Sequence, residues 1–145
     1  MKTYNIIGIK IVLFVFAVIT LSNCKKNEDT EFLLQNEWKA KSISTEKKTS
    51  EAPSKNFREE AYILKFTDDS CFLLATSVNY AGGGYIIISE GGISLNYSIF
   101  TEACCENDFD EQMINVMNNV NSYYCEGNRL TFSADKNEKI IFEKR

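Results

Sequence analysis

Tyr85-Ile-Ile-Ile-Ser-Glu-Gly-Gly-Ile-Ser-Leu-Asn-Tyr-Ser-Ile-Phe100 decides the fold class. Tyr85 to Ile88 is apolar, and from Ile93 to Phe100 the residues Ile93, Leu95, Tyr97 and Ile99 recur at every second position. A period of two puts them on one face of a pleated strand. Glu90-Gly91-Gly92 lies between the two runs, and glycine takes positive φ without steric cost, so the pair reads as a β-hairpin. Toward the N-terminus, Gly82-Gly83-Gly84 reads as the turn back to a strand over Cys71 to Ser77. Thr67-Asp68-Asp69-Ser70 is a second turn, and it leads back to Ala61 to Phe66, where Tyr62, Leu64 and Phe66 alternate. Thr45 to Glu60 is charged, holds Pro53 and has no periodicity, which predicts a solvated loop. Glu37 to Ser44, with the lone Trp38, is the first strand.

Toward the C-terminus the period changes. Phe109, Met113, Val116, Met117 and Val120 fall at i, i+4, i+7, i+8 and i+11, one face of a helix. Asp108 is placed to cap it, with Glu111 three positions on as the capping-box partner. Ser122 to Glu126, Leu130 to Phe132 and Ile140 to Phe142 then read as closing strands, with Gly127-Asn128 as a turn. The expected class is α+β: a curved, mostly antiparallel, lipocalin-like half-barrel with one amphipathic helix near residues 108–120.

Composition narrows the function classes. The chain has 145 residues, room for one domain, with 16 basic and 20 acidic side chains and a net charge of -4. An acidic domain lacks the basic footprint that nucleic-acid binding needs, so no nucleic-acid partner is expected. The sequence contains no histidine. That removes Ser-His-Asp and Cys-His catalysis, the His-based zinc motifs and any imidazole base near neutral pH. No enzyme activity, cofactor or metal is expected.

The first residues read as an export signal. Lys2 and Lys10 precede an apolar run, Ile11 to Leu21, which ends in Ser22-Asn23-Cys24-Lys25-Lys26. A membrane-spanning helix needs about 20 apolar residues to cross roughly 30 Å of hydrocarbon, and this run is shorter, as a signal peptide's is. Leu21-Ser22-Asn23-Cys24 resembles a bacterial lipobox, although Asn23 stands where a smaller residue is usual. The resemblance implies cleavage of residues 1–23, a diacylglycerol thioether and a further acyl chain such as palmitate on Cys24, and hence membrane attachment. Lys25 resembles sorting to the outer membrane of a Gram-negative cell. Residues 24–36 are mostly polar and read as a tether, with Phe32, Leu33 and Leu34 able to dock on a domain spanning 37–145.

The C-terminal third carries a second resemblance. Thr101-Glu-Ala-Cys104, then the helix with Phe109, Met113, Val116 and Val120, then Tyr123 or Tyr124, Gly127-Asn128 and Leu130-Thr-Phe132, follow one another in the order seen in META domains. Trp38 sits like the family's early tryptophan, with Asn36 where glycine is common. Val78-Asn79 and Gly84-Tyr85 match its central strip loosely, Val78 replacing a cysteine. Residues 37–145 thus resemble the META domain family, the HslJ-like envelope proteins. The resemblance implies a lipocalin-like sheet, an envelope location and a link to stress, and it brings no catalytic residues.

Four cysteines remain beside Cys24: Cys71, Cys104, Cys105 and Cys125. In an oxidising compartment an even number suggests two disulfides. Neighbouring Cys104 and Cys105 cannot bond each other without strain, so they are expected to divide between Cys71 and Cys125, in either order. The acids Glu106, Asp108, Asp110 and Glu111 are read as helix-terminus residues that complement the macrodipole, in preference to a calcium site. The function expected is a non-catalytic envelope lipoprotein that supports the envelope or binds another envelope component, with a protein or small-molecule partner that the sequence does not specify. A small-molecule binder with a lipocalin-like cavity is the alternative.

Overall fold

The computed structural model describes residues 28–56, 58–67, 70–89, 91–103 and 106–145. Among these residues nine strands form one antiparallel sheet: β1 (Glu37–Ser44), β2 (Thr49–Glu51), β3 (Ile63–Phe66), β4 (Cys71–Ala75), β5 (Tyr80–Ser89), β6 (Gly92–Phe100), β7 (Val120–Glu126), β8 (Arg129–Ala134) and β9 (Lys139–Lys144). Helix α1 (Glu28–Leu34) precedes them and α2 (Asp108–Met117) joins β6 to β7. Apart from the short β2, which pairs only with β1, each strand neighbours the next in the chain. The first and last then pair with each other, Trp38 facing Lys144 and Ser44 facing Lys139. The curved sheet read from the sequence is therefore present and closes into an eight-stranded barrel, which leaves no edge at β1 or β9.

Alternation builds the interior. On β3 Leu64 and Phe66 turn inward, on β4 Phe72 and Leu74, on β8 Leu130 and Phe132, and on β9 Ile140 and Phe142, all buried in one cluster. On β1 the period breaks once. The register against β9 slips between Ala40 and Ser42, so Trp38, Ala40 and Ile43 all face inward while Lys41 stays exposed. An extra residue of this kind is a β-bulge, and it keeps both halves of the strand facing the core. Phe109, Met113, Val116 and Met117 of α2 join the same cluster. The helix packs against β1, β8 and β9.

Three details differ from the sequence reading. Gly82, Gly83 and Gly84 are not a turn but the middle of β5, and the reversal lies at Thr76–Asn79. The glycines are there because the strands crowd: a Cβ on Gly83 would stand 1.9 Å from the Asn96 carbonyl oxygen, where the β5–β6 register slips. The second difference is in the charged loop, where Thr49–Glu51 forms a short strand on β1. The third is at the N-terminus. The expected tether is helical over Glu28–Leu34, and Leu33 is wholly buried. Its carbonyl accepts a hydrogen bond from Trp38 Nε1 at 3.3 Å, while Phe32 meets the Trp38 ring edge-on at 5.3 Å. The docking expected of Phe32 to Leu34 is thus seen, and the folded body begins before residue 37.

Candidate functional site

Two regions of this barrel hold side chains or backbone groups that core packing alone does not explain. One is a polar clamp at the end of the barrel that α2 covers. The other is the seam between β6 and that helix.

The clamp starts from a helix N-terminus. Asn107, not Asp108, is the N-cap: its Oδ1 accepts from the backbone N–H groups of Phe109 and Asp110, at 2.9 and 3.1 Å. Asp110 answers as the box partner, accepting from the Asn107 N–H at 3.2 Å. The cap therefore lies one residue earlier than the sequence suggested. Both placements have the same three-residue spacing, which is why the pattern alone does not separate them. The shift matters because it turns Asp110 inward, where it is fully buried. One carboxylate oxygen accepts from the Ser77 N–H at 3.0 Å and the other from the Ser77 hydroxyl. A buried polar group is tolerable only when paired in this way.

Tyr62 stands on the other side of the cap. Asn107 Nδ2 donates to its hydroxyl at 2.9 Å, and its ring meets Phe109 edge-on at 5.0 Å. Burial raises the Tyr62 pKa above that of an ordinary phenol, which keeps the hydroxyl protonated. Its backbone is left-handed, with φ of 67°, uncommon for a bulky residue. Two backbone bonds hold it there: its N–H donates to Ala75 O and its carbonyl accepts from Ala40, each at 2.8 Å.

Asn79 completes the clamp by holding the segment that leads into α2. Its Oδ1 accepts from the Ala103 N–H at 2.6 Å and from the Thr101 hydroxyl at 3.2 Å. Its Nδ2 donates to the Ala103 carbonyl at 3.2 Å and to Glu106 Oε1 at 2.8 Å. Thr101 Oγ1 also accepts from the Tyr80 N–H at 2.8 Å. The residues that carried the family resemblance, Asn79 and the Thr101 segment, are thus brought together, and what they do is fix the strand-to-helix crossover. Of the acidic cluster, Glu106 turns to Asn79 and Asp110 to Ser77, so the group does not converge on one point. Among the described residues no group of three Cys, Asp or Glu side chains is placed to hold a metal ion.

The seam is built differently. Among the described residues β7 pairs with β6 at one position, Gly92 with Ser122, and beyond it Ile114 and Asn118 lie across a cleft from β6. A cleft of about 370 Å³ opens there, lined by Tyr97, Ser98, Ile99, Phe100, Ile114 and Asn118. Ile99 is 61% exposed and Phe100 46%. The Tyr97 ring packs edge-on against Phe72 at 5.0 Å, while its hydroxyl is buried with no hydrogen-bond partner among the described residues. Burial raises its pKa well above the ordinary phenol range. A second apolar cleft, about 330 Å³, lies on the outer wall between Ile63, Leu73, Ala75 and Tyr80, with Glu60 and Lys65 at its rim. Arg58 stacks 4.0 Å from the centre of the Tyr80 ring.

The cysteines expected to be functional are spread out. Cys24, Cys104 and Cys105 lie outside the described residues. Cys71 is exposed on β4 and Cys125 half-buried on β7. Two strands lie between them, about 14 Å at the usual strand spacing. A disulfide needs Cα atoms within about 7 Å, so these two do not bond each other.

Comparison with known proteins follows the fold. The model of the META domain family matches residues 31–145. No curated protein matches the chain significantly. Among solved structures, the crystal structure of a DUF4847-family protein from Bacteroides vulgatus superposes with a TM-score of 0.58 at 14% identity, over 78% of this chain and 94% of that one. The NMR structure of a protein from Burkholderia xenovorans gives 0.60 at 13% identity, over 80% of this chain and 86% of that one. At such identity the likeness is one of fold.

Proposed function

Since the chain belongs to the META domain family, we propose that it is a non-catalytic, lipid-anchored module of the bacterial cell envelope that works by binding another envelope component, with a link to stress. The observation that carries this is the division of labour just described. Polar side chains that could have formed a reaction centre, Asp110, Asn79, Asn107 and Ser77, are engaged with one another in holding the fold. The outside of the barrel also carries two apolar clefts, suited to contact with a partner. The anchor belongs to the same proposal: cleavage before Cys24, a diacylglycerol thioether and an acyl chain on it, and sorting by Lys25 to the outer membrane. More than one acyl chain makes such attachment stable.

A small-molecule binder is the second reading. Trp38, Phe72, Tyr85, Phe132, Phe142, Met113 and Met117 belong to the buried cluster inside the barrel, and the cleft over Leu73 and Tyr80 on its outer wall is open and apolar.

Intact-mass analysis and membrane fractionation in a Gram-negative host test the anchored module, with Cys24→Ala as the control. Loss of residues 1–23 with a gain of acyl mass, and release of the variant from membranes, is the expected result. An unprocessed wild-type mass would contradict the proposal. Crosslinking in intact cells then tests the binding role, which recovery of no envelope component under any stress would overturn.

A further inference from the structure

The geometry points to the β6–α2 seam as a peptide-binding groove, which takes an extended, uncharged segment of a partner protein as an added strand on β6. This deepens the binding role proposed above by naming the partner's chemistry, and it rests on that role but not on the anchor.

The first observation is the free edge. Tyr85 faces Leu95 across the β5–β6 ladder, and the Tyr85 N–H points the other way, donating to Ser70 O at 2.8 Å. In an antiparallel pair that makes Tyr85 and Leu95 a non-hydrogen-bonded couple. The N–H and carbonyl of Leu95 therefore face away from β5, into the seam. Among the described residues no backbone hydrogen bond reaches that side of β6 between Ser94 and Phe100. A row of unpaired donors and acceptors is a template for another strand.

The second observation is that this edge lacks the usual protection. Proteins blunt an open edge with charge or proline, yet Ser94-Leu-Asn-Tyr-Ser-Ile-Phe100 contains neither. The opposite wall, Ile114 of α2 and its C-cap Asn118, is uncharged as well. The groove thus holds no charge to pair with a charged side chain, and one buried there would go uncompensated, so it fits an uncharged segment.

Third, the site has the parts that strand addition uses elsewhere: an edge strand, a helix alongside it and an apolar cleft between them, in which the backbone supplies hydrogen bonds and alternate side chains fill pockets. Ile99, Phe100 and Ile114 supply the apolar contacts.

The test uses the full chain held in lipid nanodiscs, with empty nanodiscs as blank. The probe is a fluorescein-labelled nine-residue peptide of alternating valine and threonine. Anisotropy reads binding, and hydrogen exchange read by mass spectrometry locates it. A twin peptide, N-methylated on alternate residues, cannot donate along one edge. The expected result is binding with slowed exchange in the fragment covering Gly92–Phe100, and at least tenfold weaker binding of the twin. Ile99→Glu combined with Ile114→Glu should weaken the parent peptide at least tenfold while the exchange of β8 and β9 stays unchanged, which shows the barrel is intact. Equal binding of the twin, protection confined to other strands, or no binding at millimolar peptide would overturn the proposal. Co-sedimentation of the chain with nanodisc lipid reports the anchor separately, so failure of one is distinguishable from failure of the other.

Discussion

The two sides of α2 meet opposite fates. Where its N-terminus caps the barrel, Asn107 and Asp110 are paired with Tyr62 and Ser77, and Asn79 holds the approach through four hydrogen bonds. Along its other flank, facing β6, a tyrosine hydroxyl has no partner and a strand edge no neighbour among the described residues. The contrast separates what holds this fold from what it has left to offer a partner. Of the family-like residues, Asn79 and Thr101 belong to the clamp, where their hydrogen bonds fix the crossover into α2.

Substitutions in the two regions should therefore differ in kind. Asp110→Ala removes the acceptor of three hydrogen bonds in a fully buried place. Stranded donors and a cavity together should cost about 4 kcal/mol, read as a fall in the urea midpoint. Gly83→Ala presses a methyl group onto the Asn96 carbonyl, and a cost of about 3 kcal/mol is expected as the β5–β6 hairpin is forced apart. Asn79→Ala removes a buried but uncharged amide, and it should cost about 2 kcal/mol and loosen the Thr101 segment, visible as faster exchange at Ala103. A loss below about 0.5 kcal/mol at Asp110 would break the comparison at its strong end.

Across the seam the sign changes. Tyr97→Phe discards a buried hydroxyl that has no partner among the described residues, so stability should hold or rise by about 1 kcal/mol. Marked destabilisation would mean that the hydroxyl is engaged and the seam is closed.

The smallest effect is at Glu37, where the hydrogen bond from Lys65, 2.6 Å away, holds the carboxyl below its ordinary pKa. A carboxyl lowered by folding contributes stability above its unfolded pKa, and that contribution is lost as the pH falls through the folded value. Both partners are about 40% exposed, so screening keeps the effect within about 0.5 kcal/mol. Glu37→Gln should match the wild type in acid and fall slightly below it at neutral pH in paired melts.

How much of this was legible depended on whether the signal was local. The strands around Leu64, Phe72 and Ile93 and the helix around Met113 were readable because their burial follows a period of two or of 3.6. The closure of β1 on β9 was not, since it joins positions a hundred residues apart, such as Trp38 and Lys144, and no local pattern records the register. Gly82 to Gly84 misled because glycine serves equally for a turn and for close approach of backbones, and only the Asn96 carbonyl distinguishes the two. Asp110 belonged to a visible acidic cluster, but its partner Ser77 lies 33 positions away. The seam had no motif at all. It arises because α2 interrupts the pairing of β6 with β7, a property of topology more than of any residue.

Residue-resolved hydrogen exchange on the folded chain tests the central claim, that the barrel is closed at β1–β9 and open at β6–α2. The backbone amides of β8, β9 and β1 should exchange only through global unfolding, while Leu95, whose N–H faces the seam, should exchange orders of magnitude faster. A Leu95 amide as slow as those of β9 would contradict it.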